Sequence, residues 1–373
     1  MRLLHLSDLH IGKALGNFSL LEDQKFMLDQ ILDIIVDKNI GAVMIAGDIF
    51  DTAVASAEAL DLYNYFIEKI IFDIKIPVLA IAGNHDSAKR LDVNKRFYKT
   101  NKYYLAGEYT SEKVTLYDDF GPINFYLLPF MSLAKARLIF DREIEDFTDL
   151  YKNALADIKY DDRNILITHC YASKFTQGLE KDYNEGQKPL TIGGSDCMDA
   201  SLFMDFDYVA LGHLHSAHFV LDPKIRYSGT FMPYSFDKKD INKSITLVDL
   251  GKDRVDIEKI PLKLFRDFEV RTGFFDELIC EDPSDSYIKF ILEDKATIEN
   301  AMGKFKKKFP NAVLINYASR SVFAMESEDV DIDIENKSTL ELFEDFIAYK
   351  DNRILSEAEI DLMKEVIGVV NEG

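Results

Sequence analysis

Three short apolar runs limit what this chain can fold into more than any other feature. Residues 2–6, 42–46 and 77–82 each read as a buried strand. Between them, residues 20–38 set Leu21, Leu28, Leu32 and Ile35 on one helical face. Residues 56–72 do the same with Leu60, Tyr63 and Ile67. Strand and helix alternating at roughly 30 residues or more per unit is the signature of a parallel sheet, because parallel neighbours need a crossover between them. In such sheets the reactive groups sit just beyond the carboxyl ends of the strands. Asp8, Asp48 and Asn84 occupy that position, and Gly83 lets the backbone turn sharply where a side chain would obstruct it.

The middle of the chain is mixed. Residues 123–129 read as a strand and 147–157 as a helix. Residues 164–168 form another buried strand that delivers His169, and 208–211 deliver Gly212-His213-Leu214-His215. A Gly-rich loop spans 177–195. From 217 to 272 short strands alternate with turns, and these are expected to form a second sheet packed on the first. The domain reading is 1–272 for the main body and 273–325 for a small α+β unit. An acidic linker follows over 326–337, then a helical tail over 338–373. Ser338-x-x-Glu341 and Ser356-x-x-Glu359 have the spacing of capping boxes, and Leu355 with Ile360 that of a staple.

The side chains gathered at strand ends are Asp8, His10, Asp48, Asn84, His85, His169, His213 and His215. They include five of the chain's seven histidines. Asp8-x-His10 and His213-x-His215 each put two side chains on one side of an extended segment. Carboxylate, imidazole and amide oxygen suit manganese, iron or zinc, with no thiolate to select a soft ion. The ligands are too many for one tetrahedral ion and suit two octahedral ions sharing a bridging carboxylate, one oxygen to each ion. Two such ions roughly 3.5–4 Å apart are the usual machinery of phosphoester hydrolysis. An imidazole outside the coordination sphere can then serve the leaving oxygen. His85, between an amide ligand and Asp86, is the candidate, with Asp86 to orient it. His5, His218 and Cys170 read as structural.

Asp8-Leu9-His10, Gly47-Asp48-Ile49-Phe50-Asp51, Gly83-Asn84-His85-Asp86, Thr168-His169 and Gly212-His213-Leu214-His215, in that order, resemble the calcineurin-type metallophosphoesterases. Thr52 after Asp51, Gly193-Gly194-Ser195, the run from Asp205 to His215, and Arg226-Tyr227-Ser228-Gly229 narrow the resemblance to the SbcD family of bacterial nucleases. The likeness is dense over about residues 1–265. It implies an α/β fold: a two-sheet sandwich flanked by helices (α/β/β/α), with a small α+β capping domain and the helical tail. It implies that Asp8, His10 and His215 hold one ion and Asn84, His169 and His213 the other, with Asp48 bridging. His85 and Asp86 would be catalytic. Asp51 stands where some relatives carry His and is left out of the ligand set.

The resemblance further implies two divalent ions, with manganese in the active enzyme, a homodimer, and an SbcC-type ATPase bound through the C-terminal helices. The expected substrates are DNA ends and hairpins, cut by 3′→5′ double-strand exonuclease and single-strand or hairpin endonuclease activity, in repair, recombination and replication. The competing reading is a small-molecule or protein phosphoesterase with the same centre. Protein phosphatases, however, carry Arg shortly after the Asp48 position and Glu at the Asp86 position, and this chain has neither.

A net charge of −21 is unusual for a nucleic-acid binder. Metal-holding carboxylates account for part of it, and the bases cluster. Lys89, Arg90, Lys95, Arg96, Lys99 and Lys102 follow the His85 loop, and Lys304, Lys306, Lys307 and Lys308 lie in the small unit, as candidate phosphate contacts. No apolar run of about 18 residues predicts a membrane span. The N-terminus lacks a signal-peptide pattern, and Cys170, Cys197 and Cys280 suit reduced thiols, so the expected location is the cytoplasm.

Overall fold

The computed structural model describes residues 1–160, 162–174, 197–237 and 241–318, with eight further positions between 340 and 363. Met1–Asn316 form one compact unit and Tyr317–Gly373 a second.

The first sheet opens the chain. β1 (Arg2–Leu6), α1 (Leu21–Asp37), β2 (Ala42–Ala46), α2 (Ala57–Glu68), β3 (Val78–Ile81), α3 (Lys95–Thr100) and β4 (Tyr103–Ala106) follow one another. β1 to β4 are parallel neighbours in that order. α2 runs on into a π-helical segment, Lys69–Ile74, that stops at left-handed Lys75. Met27, Leu28, Ile31 and Ile35 of α1 and Tyr63, Phe66 and Ile67 of α2 cover the outer face of this sheet. Each such side chain stabilises the fold by about 1.5–3 kcal/mol through burial.

The second sheet is built from β5 (Lys113–Asp118), β6 (Gly121–Leu128), β7 (Arg163–His169), β8 (Tyr208–Gly212), β9 (Phe219–Val220) and β10 (Asp222–Tyr227), with α4 (Phe147–Leu155) on its outer face. Its order is β9-β10-β8-β7-β6-β5. Leu3, Met44, Leu79 and Ile81 of one sheet meet Phe125, Ile165, Ile167 and Ala210 of the other, which makes an α/β/β/α sandwich.

One expectation is corrected here. Residues 217–272 do not form the second sheet by themselves. β9 and β10 join it, but β11 (Ser244–Leu250) returns to pair antiparallel with β1, and β12 (Val255–Pro261) pairs with β11. β11 is buried on both faces, with Ile245 and Leu247 packed on the helix side of the first sheet and Val248 and Leu250 between the sheets, so it needs a place covered on both sides.

The three-stranded sheet β13 (Phe268–Gly273), β14 (Tyr287–Leu292), β15 (Ala312–Tyr317) carries α5 (Ala301–Lys306). Its core is aromatic: Phe290 and Phe305 stack with centroids 3.8 Å apart, beside Phe275 and Phe309. Buried Asp23 of α1 ties it to the sandwich by accepting from Arg266 Nη1 (2.7 Å) and Tyr287 Oη (2.9 Å).

In the C-terminal unit, Glu359 accepts from the Ser356 N–H at 2.9 Å, one half of a capping box. The Ser356 hydroxyl also donates to Glu359, at 2.8 Å, instead of accepting from its N–H. The 177–195 loop with Gly193-Gly194-Ser195, the 326–337 linker and the Ser338–Glu341 spacing lie outside the described residues. Among the described residues no helix is long and apolar enough to cross a membrane.

Candidate metal centre

The carboxyl ends of β1, β2, β3, β7 and β8 converge, and the connections leaving them are locked edge to edge. Asp8 N–H donates to Gly47 O (3.0 Å), His10 N–H to Asp48 O (2.9 Å) and Ile11 N–H to Ile49 O (2.9 Å). These connections hold unfavourable backbone. Asp8 (φ 51°), His10 (φ 43°), Asp48 (φ 49°) and His213 (φ 108°) all lie in the left-handed region. Such residues cost of order 1–3 kcal/mol each and persist where the surroundings over-determine them, typically at functional sites.

Two glycines make the convergence possible. Gly47, at φ 85°, leaves no room for a Cβ against the His169 ring. Gly83 has no positive φ, but it stands, as expected, where the chain bends and a side chain would be obstructed. A Cβ there would collide with the Asp48 carboxylate and backbone.

Asp48 sits at the centre, almost fully buried. Its Oδ2 lies 3.4 Å from His169 Nε2 and 3.7 Å from His10 Nε2, while its Oδ1 accepts the His85 N–H at 2.8 Å. The same oxygen therefore faces the imidazoles of both sides. Burial alone would raise this carboxyl, but the His169, His10 and His85 imidazoles outweigh it and hold it well below the usual range.

On one side Asp8, His10 and His215 bring ligand atoms within 4.8 Å of one another, with His10 Nε2 and His215 Nε2 only 3.1 Å apart. On the other side Asn84 Oδ1 lies 2.9 Å from His169 Nε2 and 3.1 Å from His213 Nδ1. His169 Nδ1 donates to Ala46 O at 2.9 Å, which turns Nε2 inward. Burial, and then the neighbouring imidazoles, hold His213 at about 3 and His215 well below its ordinary value. His169 is the exception: burial would lower it, but Asp48 and Asp8 lift it to about 9. Converging imidazole nitrogens beside buried carboxylates, with His10 Nδ1 left without a hydrogen bond, fit divalent cations of the borderline class.

His85 is exposed, and its ring lies 4.8 Å from that of His10, edge to face. Asp86 does not orient it, contrary to expectation. The Asp86 carboxylate accepts three backbone N–H groups, from Gly83 (2.9 Å), Ile49 (3.0 Å) and Phe50 (3.0 Å), and so clamps the two loops together. Burial and the charge of Asp48 push it up to about 6. The ring is held instead by Asp51, whose backbone carbonyl accepts from His85 Nδ1 at 2.9 Å. The Asp51 side chain takes Lys13 Nζ at 2.7 Å and lies 3.5 Å from His10 Nδ1. His10, Asp51 and His85 thus form a third grouping at the rim.

Sequence reasoning passed over the residues that hold the Asp8–Gly12 connection. Gln24 Oε1 accepts from Gly12 N–H (3.0 Å), and its Nε2 donates to His10 O (2.8 Å) and Tyr234 Oη (3.0 Å). The Tyr234 hydroxyl bonds to Leu9 O. A polar residue on the apolar face of α1 was the available sign for Gln24. Tyr234 carried none.

The crystal structure of TT1561 of Thermus thermophilus aligns with 69% of this chain and 98% of its own, at 11% identity and a TM-score of 0.42. Residues 264–351 match the SbcD_C family, described as the type 5 capsule protein repressor C-terminal domain. Residues 1–217, more than half of the chain, match the calcineurin-like phosphoesterase family and include every strand end that builds this centre. Its members use divalent metal ions, and this chain belongs to the calcineurin-like phosphoesterases.

Proposed function

We propose that the chain is an SbcD-type DNA nuclease, a manganese-dependent phosphodiesterase that processes DNA ends and hairpins with an SbcC-type ATPase. The observation that carries this reading is the pairing of a complete calcineurin-like centre with an SbcD_C segment over 264–351. Asp8, His10, His215 and Asp48 would hold one cation, and Asn84, His169, His213 and Asp48 the other. When bound, two such ions polarise a phosphoryl group and lower the pKa of water towards about 7.

The chain's own residues supply the rest. Asp48 fixes the spacing of the two sides through Oδ2. Asp86 holds the Asn84–His85 loop against the Asp48 loop. With Nδ1 donating to Asp51 O, the His85 ring presents Nε2 at an exposed position, from which it would deliver a proton to the leaving oxygen. Lys95, Arg96, Lys99 and Lys113 line one pocket, which suits phosphate-backbone contact. The helical tail is the proposed ATPase contact, since amphipathic helices dock through their apolar face.

The test is manganese-dependent cleavage of an end-labelled hairpin DNA against a generic aryl phosphodiester, with and without the ATPase. Cleavage of the hairpin is expected. Turnover of the aryl ester alone, with metal bound, would move the protein to the small-substrate phosphoesterases.

Two expectations follow from the same reading. At pH 7 the metal-free His169 carries a proton, because its pKa is raised to about 9. A ligating nitrogen must be neutral, so binding should release about one proton at this position. Affinity should rise with pH up to about 9 and then level off. Calorimetry of Mn²⁺ binding in buffers of different ionisation enthalpy measures the release.

A homodimer is supported by an apolar groove lined by Leu60, Tyr63, Ile67, Phe72, Phe97 and Tyr98, in which Phe97 is 73% exposed and Phe72 57%. Phe97→Asp should give a folded monomer by light scattering at micromolar concentration. An unchanged dimer mass would remove the groove from the interface.

A further inference from the structure

We propose that the sandwich holds a binding site for a small monovalent inorganic anion, of the halide type, between its two sheets where β10 faces β12. His5, Thr246 and Lys259 are register partners across β1, β11 and β12 and therefore share one face. It is the intersheet face, since Leu3 and Val248, two positions along the same strands, line the core between the sheets. Opposite stand Tyr208 of β8 and Arg226 of β10. His5 Nδ1 and Tyr208 Oη lie 2.9 Å apart and tie the two layers.

Arg226 is 8% exposed, its Nε is fully enclosed without a partner, and its guanidinium makes no hydrogen bond or ion pair with any described residue. Thr246 Oγ1 is likewise buried without a partner.

Arginine keeps its charge at any working pH, and a buried charge needs a counter-charge. No carboxylate among the described residues lies within ion-pair distance of Arg226. The groups that feel its charge are His5, Tyr208 and Lys259, none of which is an anion at neutral pH. Burial pushes His5 down to about 3, so it stays neutral. Lys259, whose Nζ donates to Ala217 O at 2.6 Å, adds a second positive charge at the rim. An anion here accepts from Arg226 Nε–H and Thr246 Oγ–H. Packed sheets stand about 10 Å apart with side chains filling the gap, which favours a monatomic ion over an organic acid.

The site adjoins the frame of the metal centre. Just beyond Arg226, the Ser228 hydroxyl donates to His5 O (2.7 Å) and Thr230 N–H to His215 O (3.1 Å). Ser7 donates back to Gly229 O (3.3 Å). An anion on Arg226 therefore braces the segment from which Asp8 and His215 project.

The experiment is diffraction from crystals of the full chain soaked in sodium bromide, recorded at the bromine edge. The expected result is an anomalous peak in contact with Arg226 Nε. Density there that refines as water, with no anomalous signal, overturns the proposal. In solution, wild type should unfold roughly 2–4 °C higher in chloride than in gluconate at matched ionic strength. Arg226→Met should show no difference between the salts. Equal unfolding of wild type in the two salts, or a bromide peak that persists in Arg226→Met, overturns it as well. The wild-type measurements decide the matter if that variant does not fold.

Discussion

His85→Ala is expected to remove DNA cleavage while leaving the metal content unchanged. The side chain is exposed, and its Nδ1 is occupied by the Asp51 carbonyl. Asp8, His10 and His215 close one grouping without it, and Asp8, Asp48 and His169 close another. Loss of a positioned general acid typically costs about 10²–10⁴ in rate. The comparison needs two readings on one sample: cleavage of the hairpin substrate, and manganese per chain by elemental analysis. A variant that loses manganese would make His85 a ligand in the His10–Asp51–His85 grouping and would leave the proton donor to be found elsewhere. Asp51→Ala is the informative control. The His85 ring is held by the Asp51 backbone carbonyl, so this variant keeps that bond while removing the Lys13 partner.

Asp48→Asn should have the other large effect, and it should act on the metals. The amide keeps the shape of the carboxylate but removes the charge that offsets the buried imidazoles on both sides. Oδ1 is committed to the His85 N–H, so the amide nitrogen would take the Oδ2 position and point hydrogens at His10 and His169. Loss of a hydrogen-bond partner outside the coordination sphere costs roughly 10–100-fold in metal affinity. Loss of the shared oxygen should exceed that, leaving less than one ion per chain and cleavage at background. The metal-free fold should also weaken near neutral pH, where a protonated His169 would lose its nearest counter-charge. Thermal unfolding with and without Mn²⁺ separates the two consequences. An Asp48→Asn variant with full metal content would show that the bridge lies elsewhere.

Much of this centre was legible in the chain alone. Apolar runs ending in Asp8, Asp48, Asn84, His169 and His213 predict strand ends, and strand ends of parallel sheets gather on one edge. The structure brings all of these residues together with His10, His85 and His215. Roles were less legible than places. Asp86 follows His85 in sequence, which made it the natural partner for the ring. Yet adjacent residues on a tight loop point apart, and the carboxylate is drawn instead to three unpaired backbone N–H groups. Asp51 holds His85 through a main-chain carbonyl, which carries no side-chain signature. Gln24 and Tyr234 converge on one loop from positions 210 residues apart, a pairing that only the folded chain defines.

Local pattern was enough to set β1, β2, β3 and the two helices between them, with the side chains at their ends, because both follow from periodicity and from where each apolar run stops. Long-range packing supplied what periodicity cannot encode. It sent β11 back to β1 with β12 beside it, turned a single oxygen of Asp48 towards both halves of the centre, and buried Arg226 with no carboxylate of the described residues beside it. A strand buried on both faces, as β11 is, can be satisfied only where two layers cover it, so its partner is chosen only when the distant parts of the chain come together.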